Sequence, residues 1–383
     1  MAIVACLALV WLIAFSPQIQ KYPALRGTLY AANGILVLLF VLLLLYKLSF
    51  GQKWDFALNL RVPNLIQACV QSSIYVFMSQ FSPGVGNYAP LIFYQIFFAF
   101  VFDFLLSLLV YKNYRFGFSI LPIVLSINLF IWFRPQYFYL QLAMVALAIY
   151  SKHIIVRNIA GRQSHVFNPS GIAMALGAVF ILFSGSIRQY VFIDEIIVSY
   201  NSSRPYIFLF ILFVGSISQW VGRIVLISLG AVVTLFSLSS LCELITGLPA
   251  INHWIDPSVM VGVTLLVTDP ATSPKKNWGK FLFGCCYGLG ILFGYGVLSR
   301  FQLPGYYAKI LALPFLNLLA PFIDRIKFPF VPSTRAQRFY HPGVQGLLYV
   351  AVFLALLPTV HGPRQKSYLG ALGGAAWAAK HGR

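Results

Sequence analysis

The chain has 383 residues, 60% of them hydrophobic and only 9% charged, with a formal net charge of +19. A soluble domain carries roughly 25% charged residues, so water is excluded as the solvent of this chain, which reads as an integral membrane protein. The basic excess does not imply nucleic acid, because no basic stretch has the interleaved aromatics and polar surface of a nucleic-acid platform.

A bilayer core about 30 Å thick takes roughly 20 apolar residues per crossing helix. In chain order, spans are predicted at residues 2–16, 28–49, 64–82, 91–111, 116–133, 136–151, 169–184, 205–221, 224–241, 258–269, 280–299, 306–323 and 343–360. The fold class is all-α, a polytopic membrane protein with about ten to thirteen transmembrane helices. The runs at 2–16 and 258–269 are short for a crossing, and the first also fits a signal-anchor or a surface helix. No small-residue cleavage site follows it, so it is expected to be retained. Residues 1–62 are N-terminal membrane helices, 63–365 the membrane core, and 366–383 a Gly/Ala-rich tail with no assigned chemistry.

Basic residues gather on alternate loops. Lys53 and Arg61, Lys112 and Arg115, Lys152 to Arg162, Arg223, Lys275 to Lys280, and Arg325 to Arg338 mark the cytoplasmic side by the positive-inside rule. The other loops, with Lys21, Arg26, Arg134, Arg188, Arg204 and Arg300, are sparser.

One six-residue pattern occurs twice, 88 positions apart: His165-Val-Phe-Asn168-Pro169-Ser170 and His253-Trp-Ile-Asp256-Pro257-Ser258. Three predicted crossings separate the copies, an odd number, so they enter the membrane from opposite faces and the duplication is inverted. Inverted repeats with interrupted helices build polar sites near the midplane in many transport folds. Asn168 and Asp256 can cap helix N-termini, with proline in the first helical position. Plain helix capping and a polar binding site both account for that pattern.

Of eight acidic residues, Asp103, Glu243, Asp256 and Asp269 lie within or at the ends of apolar segments. Asp103, in Phe97-Phe-Ala-Phe-Val-Phe-Asp103, costs several kcal/mol there unless paired, hydrated or protonated. It is either a structural hydrogen-bond partner to a neighbouring helix or part of a proton or cation relay. His165 and His253 stand beside helix starts, where imidazole ordinarily bonds backbone, and no metal site is expected. The five cysteines show no CxxC, and Cys285-Cys286 falls in a small-residue packing face, so neither a cluster nor a structural disulfide is expected. Without a Walker loop or dinucleotide fingerprint, any electron donor must come from a partner.

Lys152-His-Ile-Ile-Val-Arg157, the His165–Ser170 motif, Gly215-Ser-Ile217, and Val267-Thr268-Asp269-Pro270-Ala-Thr272-Ser-Pro274 with Gly279-Lys280 and Tyr287-Gly288 carry a resemblance. In this order they resemble the RnfD and NqrB family, membrane subunits of the Rnf and sodium-translocating NADH:quinone reductase complexes. The resemblance covers roughly residues 150 to 300. It implies two inverted halves similar to urea and ammonium channels, within an ion-motive, flavin-dependent electron-transfer complex. On the redox reading, Asp103 and Asp269 are the candidate relay carboxylates, and His165, Asn168, Ser170, His253, Asp256, Thr268 and Thr272 the candidate cofactor-binding positions.

The chain departs from that pattern in two places. The family's covalent FMN sits on a Thr in Ser-Gly-Ala-Thr, whereas the corresponding loop here, from Ser184 to Arg204, has only Ser202 or Ser203 as a weak substitute. Ser218-Gln219-Trp220 replaces Gly-Glu-Thr. Covalent FMN is therefore not expected. A non-covalent flavin (FMN or riboflavin) or a quinone is, with other membrane or redox subunits and the lipid bilayer as partners, in a bacterial inner (cytoplasmic) membrane. The competing reading is an accessory subunit or small-solute channel on the same fold, as in stand-alone relatives from enediyne clusters.

Overall fold

The computed structural model describes residues 2–159, 162–192, 196, 206–248, 250, 257–326 and 342–356. The chain divides into two compact units, Met1–His165 with Ile172–Ser199, and Val166–Gly171 with Tyr200–Arg383. Helices dominate both. Among the described residues, five helices are long and apolar enough to cross a bilayer: Pro23–Phe50, Pro83–Tyr111, Val225–Thr246, Asn277–Arg300 and Gly305–Arg325. Four further apolar helices are shorter.

In the first unit, α1 (Ala2–Ala14) is only 13 residues long. At 1.5 Å per residue it reaches about 20 Å, less than a bilayer core. Ile3, Cys6, Val10 and Ala14 recur at helical spacing and are its buried face. The long helix α2 (Pro23–Phe50) follows, then α3 (Val62–Ser79) and α4 (Pro83–Tyr111), of which α4 buries more residues than any other helix described. Next come α5 (Ile120–Asn128), α6 (Phe138–Ile154) and α7 (Pro169–Phe183), the last belonging to this unit from Ile172 onward and to the second unit at its start.

Two small sheets add to the all-α expectation. β1 (Asp55–Leu58) pairs in parallel with β2 (Asn113–Phe116), Asp55 opposite Asn113. β3 (Val156–Ile159) pairs antiparallel with β4 (Arg162–His165), Val156 opposite His165. Both lie just beyond helix ends, where backbone groups that leave a helix need new partners.

The second unit contains α8 (Tyr206–Gly222), α9 (Val225–Thr246), α10 (Pro257–Val261), α11 (Asn277–Arg300), α12 (Ala308–Arg325) and α13 (Pro342–Leu356). α9 and α11 meet backbone to backbone. A side chain at Gly230 would strike the Phe281 carbonyl, and one at Gly284 the Ile227 carbonyl. The Gly284-Cys-Cys-Tyr-Gly288 segment is thus a close-packing face, as small residues on membrane helices allow.

The predicted span 116–133 is not one helix. α5 stops at Asn128, and Leu129 to Phe133 continue as irregular backbone at 1–2% exposure. The predicted span 258–269 is likewise a half-length helix, with α10 continuing into a π-helical turn, Gly262–Leu266. Hydropathy sums side-chain character, and buried irregular backbone made of Phe, Ile and Trp scores like a helix.

Candidate functional site

The interrupted helix of the second unit is built from its unsatisfied carbonyls. A helix ending inside protein leaves its last four C=O groups without intrahelical donors, and burial forbids leaving them bare. Here polar side chains from neighbouring helices supply the donors. Ser228 Oγ on α9 donates to Val263 O at 2.5 Å, and Gln219 Nε2 on α8 donates to Thr264 O. Thr268 Oγ1 reaches back to the same Thr264 O at 2.7 Å. Asn168 Nδ2 donates to Leu266 O at 3.0 Å. The π-turn widens the helix, with Val267 N bonding Gly262 O at 3.1 Å, and so exposes those carbonyls sideways.

Asn168 has a second task. Its Oδ1 accepts from Ser170 Oγ at 2.9 Å and Gly171 N at 3.3 Å, the N-cap geometry expected ahead of Pro169. Its own N–H donates to Asn317 Oδ1 on α12 at 2.9 Å. One residue thus joins the start of α7, the end of the interrupted helix and the middle of α12. Gly171 completes the fit, since a side chain there would run into Leu313.

Near the other end of the interrupted helix lies a cation. Lys309, 2% exposed, donates from Nζ to Ser258 Oγ at 2.7 Å, and its ammonium stands 3.6 Å from the Tyr306 ring centroid. Tyr287 OH donates to the Lys309 carbonyl at 2.9 Å. Ser258 beside Lys309 and Leu266 linked through Asn168 to Asn317 mean that the interrupted helix runs alongside α12 in the same direction. Lys309 belongs to none of the sequence motifs, although a lysine within an apolar run is the kind of intramembrane charge that calls for a function.

Beyond the break, Thr268 to Pro274 fold on themselves. Asp269 Oδ1 accepts from Ala271 N at 3.0 Å, and Oδ2 from Thr272 Oγ1 at 3.1 Å. Ser273 Oγ donates to the Asp269 carbonyl at 2.6 Å. Asp324 at the end of α12 then accepts from the N–H groups of Lys275, at 3.0 and 3.1 Å, and Lys276, at 3.4 Å. Asp269 is half-buried and organises this turn.

The first unit contains its own interrupted helix. Tyr75 OH donates to Leu125 O at 2.8 Å, and the Trp132 indole N–H donates to Asn128 O. Asn128 exchanges amide hydrogen bonds with Gln95 on α4, at 2.7 and 3.1 Å. Gln141 on α6 donates to Ile131 O at 3.2 Å and accepts from Phe133 N at 3.0 Å. Arg134 N donates to Tyr190 O at 2.8 Å, and Phe192 N to Trp132 O at 2.9 Å. Irregular backbone is tolerated here because protein groups take most of its donors and close the Asn128, Ile131 and Trp132 carbonyls.

Asp103, also in the first unit, is paired rather than isolated. Its Oδ1 lies 3.0 Å from Lys152 Nζ and 2.7 Å from His153 Nε2, both at the end of α6. Lys152 also donates to Ser119 Oγ at 3.1 Å, and Tyr111 OH to the His153 carbonyl at 2.5 Å. Burial first, and the nearby Asp103 charge second, push the Tyr114 phenol above its ordinary range. The partners are a cation and an imidazole on the neighbouring helix α6. An ion pair reconciles this carboxylate with its apolar surroundings.

Of the predicted positions, the second unit brings together Asn168, Ser170 and Thr268 around the break, with Asp269 and Thr272 in the turn after it. His165 ends β4 and is half-buried. His253 and Asp256 lie outside the described residues. The Asn168, Ser170, Thr268 and Thr272 side chains all hydrogen-bond within the chain itself. In the described part of the Ser184–Arg204 loop, Ser184 Oγ donates to Ile181 O at 2.6 Å. Ser202 and Ser203 lie outside the described residues.

Residues 205–331 match the NQR2, RnfD, RnfE family. The match spans α8 to α12, and therefore the interrupted helix, Lys309 and the Thr268–Pro274 turn, and it supports an RnfD/NqrB-like membrane protein. The Lys152–Arg157 and His165–Ser170 elements lie outside the matched residues. Comparison with curated proteins gave no match.

Proposed function

We propose that the chain is a membrane subunit of a redox-driven, ion-translocating complex of the Rnf/Nqr type, acting without covalently attached FMN. It would work in a bacterial cytoplasmic membrane beside other membrane or redox subunits. The observation that carries this reading is the family match over 205–331, which falls on the interrupted helix and its capping residues. Interrupted helices put polar backbone where an ion or polar ligand can be handled inside the bilayer, and so they support an ion-moving role. We read α7 and α10, whose starts carry the two copies of the six-residue motif, as the counterparts in an inverted repeat.

Asp103 is the relay carboxylate of this proposal. Held by Lys152 and His153, it can exchange a proton or cation only by rearranging both contacts, which would couple its occupancy to the end of α6. Asp269 is assigned the lesser role of shaping the turn beyond the break. The redox carrier is taken to be a non-covalent flavin or a quinone. The accessory-subunit or channel reading is favoured by one observation, the engagement of the Asn168, Ser170, Thr268 and Thr272 side chains within the chain itself.

Acid denaturation of the purified protein separates these readings. Yellow colour released into solution, with a non-fluorescent polypeptide on a gel, is the expected result for a non-covalent flavin. Fluorescence retained by the polypeptide would refute the absence of covalent FMN. A colourless protein that also yields no extractable quinone would favour the accessory or channel role.

A further inference from the structure

Five basic residues meet at one end of the second unit. Arg223 follows the last residue of α8, Lys275 and Lys276 precede α11, Lys280 lies in its first turn, and Arg325 ends α12. Three are pinned by the backbone: Lys280 Nζ to Arg223 O at 2.8 Å, Lys275 Nζ to Pro270 O at 2.6 Å, and Lys276 Nζ to Asp324 O at 2.8 Å. Pro270 also packs beside Gly222, whose added Cβ would lie 3.7 Å from the proline ring. These carbonyls fix the ammonium groups in place without neutralising them. Asp324, the carboxylate of this cluster, is directed at the N–H groups of Lys275 and Lys276.

Apolar groups border the cations. Trp220 stands one turn before Arg223, and Phe322 one turn before Arg325, whose guanidinium lies 5.7 Å from that ring centroid. Trp220, Phe281 and Phe322 are exposed, as are Arg223, Lys275, Lys276 and Arg325. Cations at the ends of membrane-length helices, with aromatic side chains next to them, match the level of lipid headgroups above the start of the acyl region.

We propose that this surface docks anionic phospholipid, with the phosphate among Arg223, Lys275, Lys280 and Arg325 and the chains against Trp220, Phe281 and Phe322. An acidic protein partner would meet the same charges, but it would have to cover exposed aromatic rings at the headgroup level. The pinned lysines make the site preorganised, which reduces the ordering cost of binding.

The test uses Arg223→Gln with Arg325→Gln, which leaves all three lysine-to-carbonyl bonds in place. Retention of phosphatidylglycerol and phosphatidylcholine by the purified full chain is read by native mass spectrometry. The wild type is expected to prefer phosphatidylglycerol, and the variant to lose roughly tenfold or more of that preference. Equal retention of both lipids by the wild type, or an unchanged preference in the variant, would overturn the proposal. Lost binding of an acidic partner subunit with lipid preference intact would assign the surface to protein instead. Should the variant fail to fold, the wild type alone decides: its preference must weaken as salt rises, and a salt-independent preference overturns the proposal.

Discussion

A buried ammonium such as Lys309 persists only if specific groups hold it, because water would otherwise solvate it far better. At 2% exposure, against Ser258 and the Tyr306 ring, it should resist amine acetylation in the folded protein and react only on unfolding. Lys275 and Lys276, both exposed, should react at once. Peptide mapping after brief labelling measures the difference. Asp103→Ala strands Lys152, one-fifth exposed, beside an apolar gap, and is expected to cost about 1.5–3 kcal/mol in a detergent melt. Asn168→Ala removes a helix cap and the donor to Leu266 together, and should cost about 1–3 kcal/mol. Gln219 also matters at this scale. It stands where the resembled family has Glu, and its amide can donate to the Thr264 carbonyl, which an ionised carboxylate cannot do. Gln219→Glu should therefore lower the melting temperature at neutral pH.

The two interrupted helices share one physical solution. Each ends in buried backbone, and each end is closed by amide, hydroxyl or indole donors from other parts of its own unit. In the first unit Gln95, Asn128 and Gln141 act together, so Gln95→Ala and Gln141→Ala should be non-additive by about 0.5–3 kcal/mol in a double-mutant cycle. Additive losses would mean that the amides act separately. The cap at Asn168-Pro169 was legible in the sequence because its partners are two and three residues away. The break at Asn128 was not, because Gln95 and Gln141 lie far off in sequence and the aromatic run after it scores as a span. Lone amides in apolar runs, together with Arg134-Pro135, were the available signal. The Asp103 pair was hidden for a related reason. Lys152 was counted as a loop charge, whereas it lies in the last turn of α6 with its ammonium directed back to α4.

For the whole molecule, composition was sufficient to identify the membrane as solvent, because 9% charge over 383 residues cannot cover a water-exposed surface. The ordered motifs pointed to the family that residues 205–331 match. Chemistry was less legible, since Asn168 and Thr268 bond the backbone around the break, while Lys309 and Asp324, which the motifs do not mark, hold the second unit's polar interior and turn. In the proposed function the chain couples electron flow to ion movement through Asp103. The most direct test is electron-driven ion uptake by inverted membrane vesicles from cells with the chain, without it, or with Asp103→Asn, in each case with assembly checked by native gel. Uptake that requires the wild-type chain and is lost in an assembled Asp103→Asn complex is the predicted result. Equal uptake with and without the chain would contradict the account.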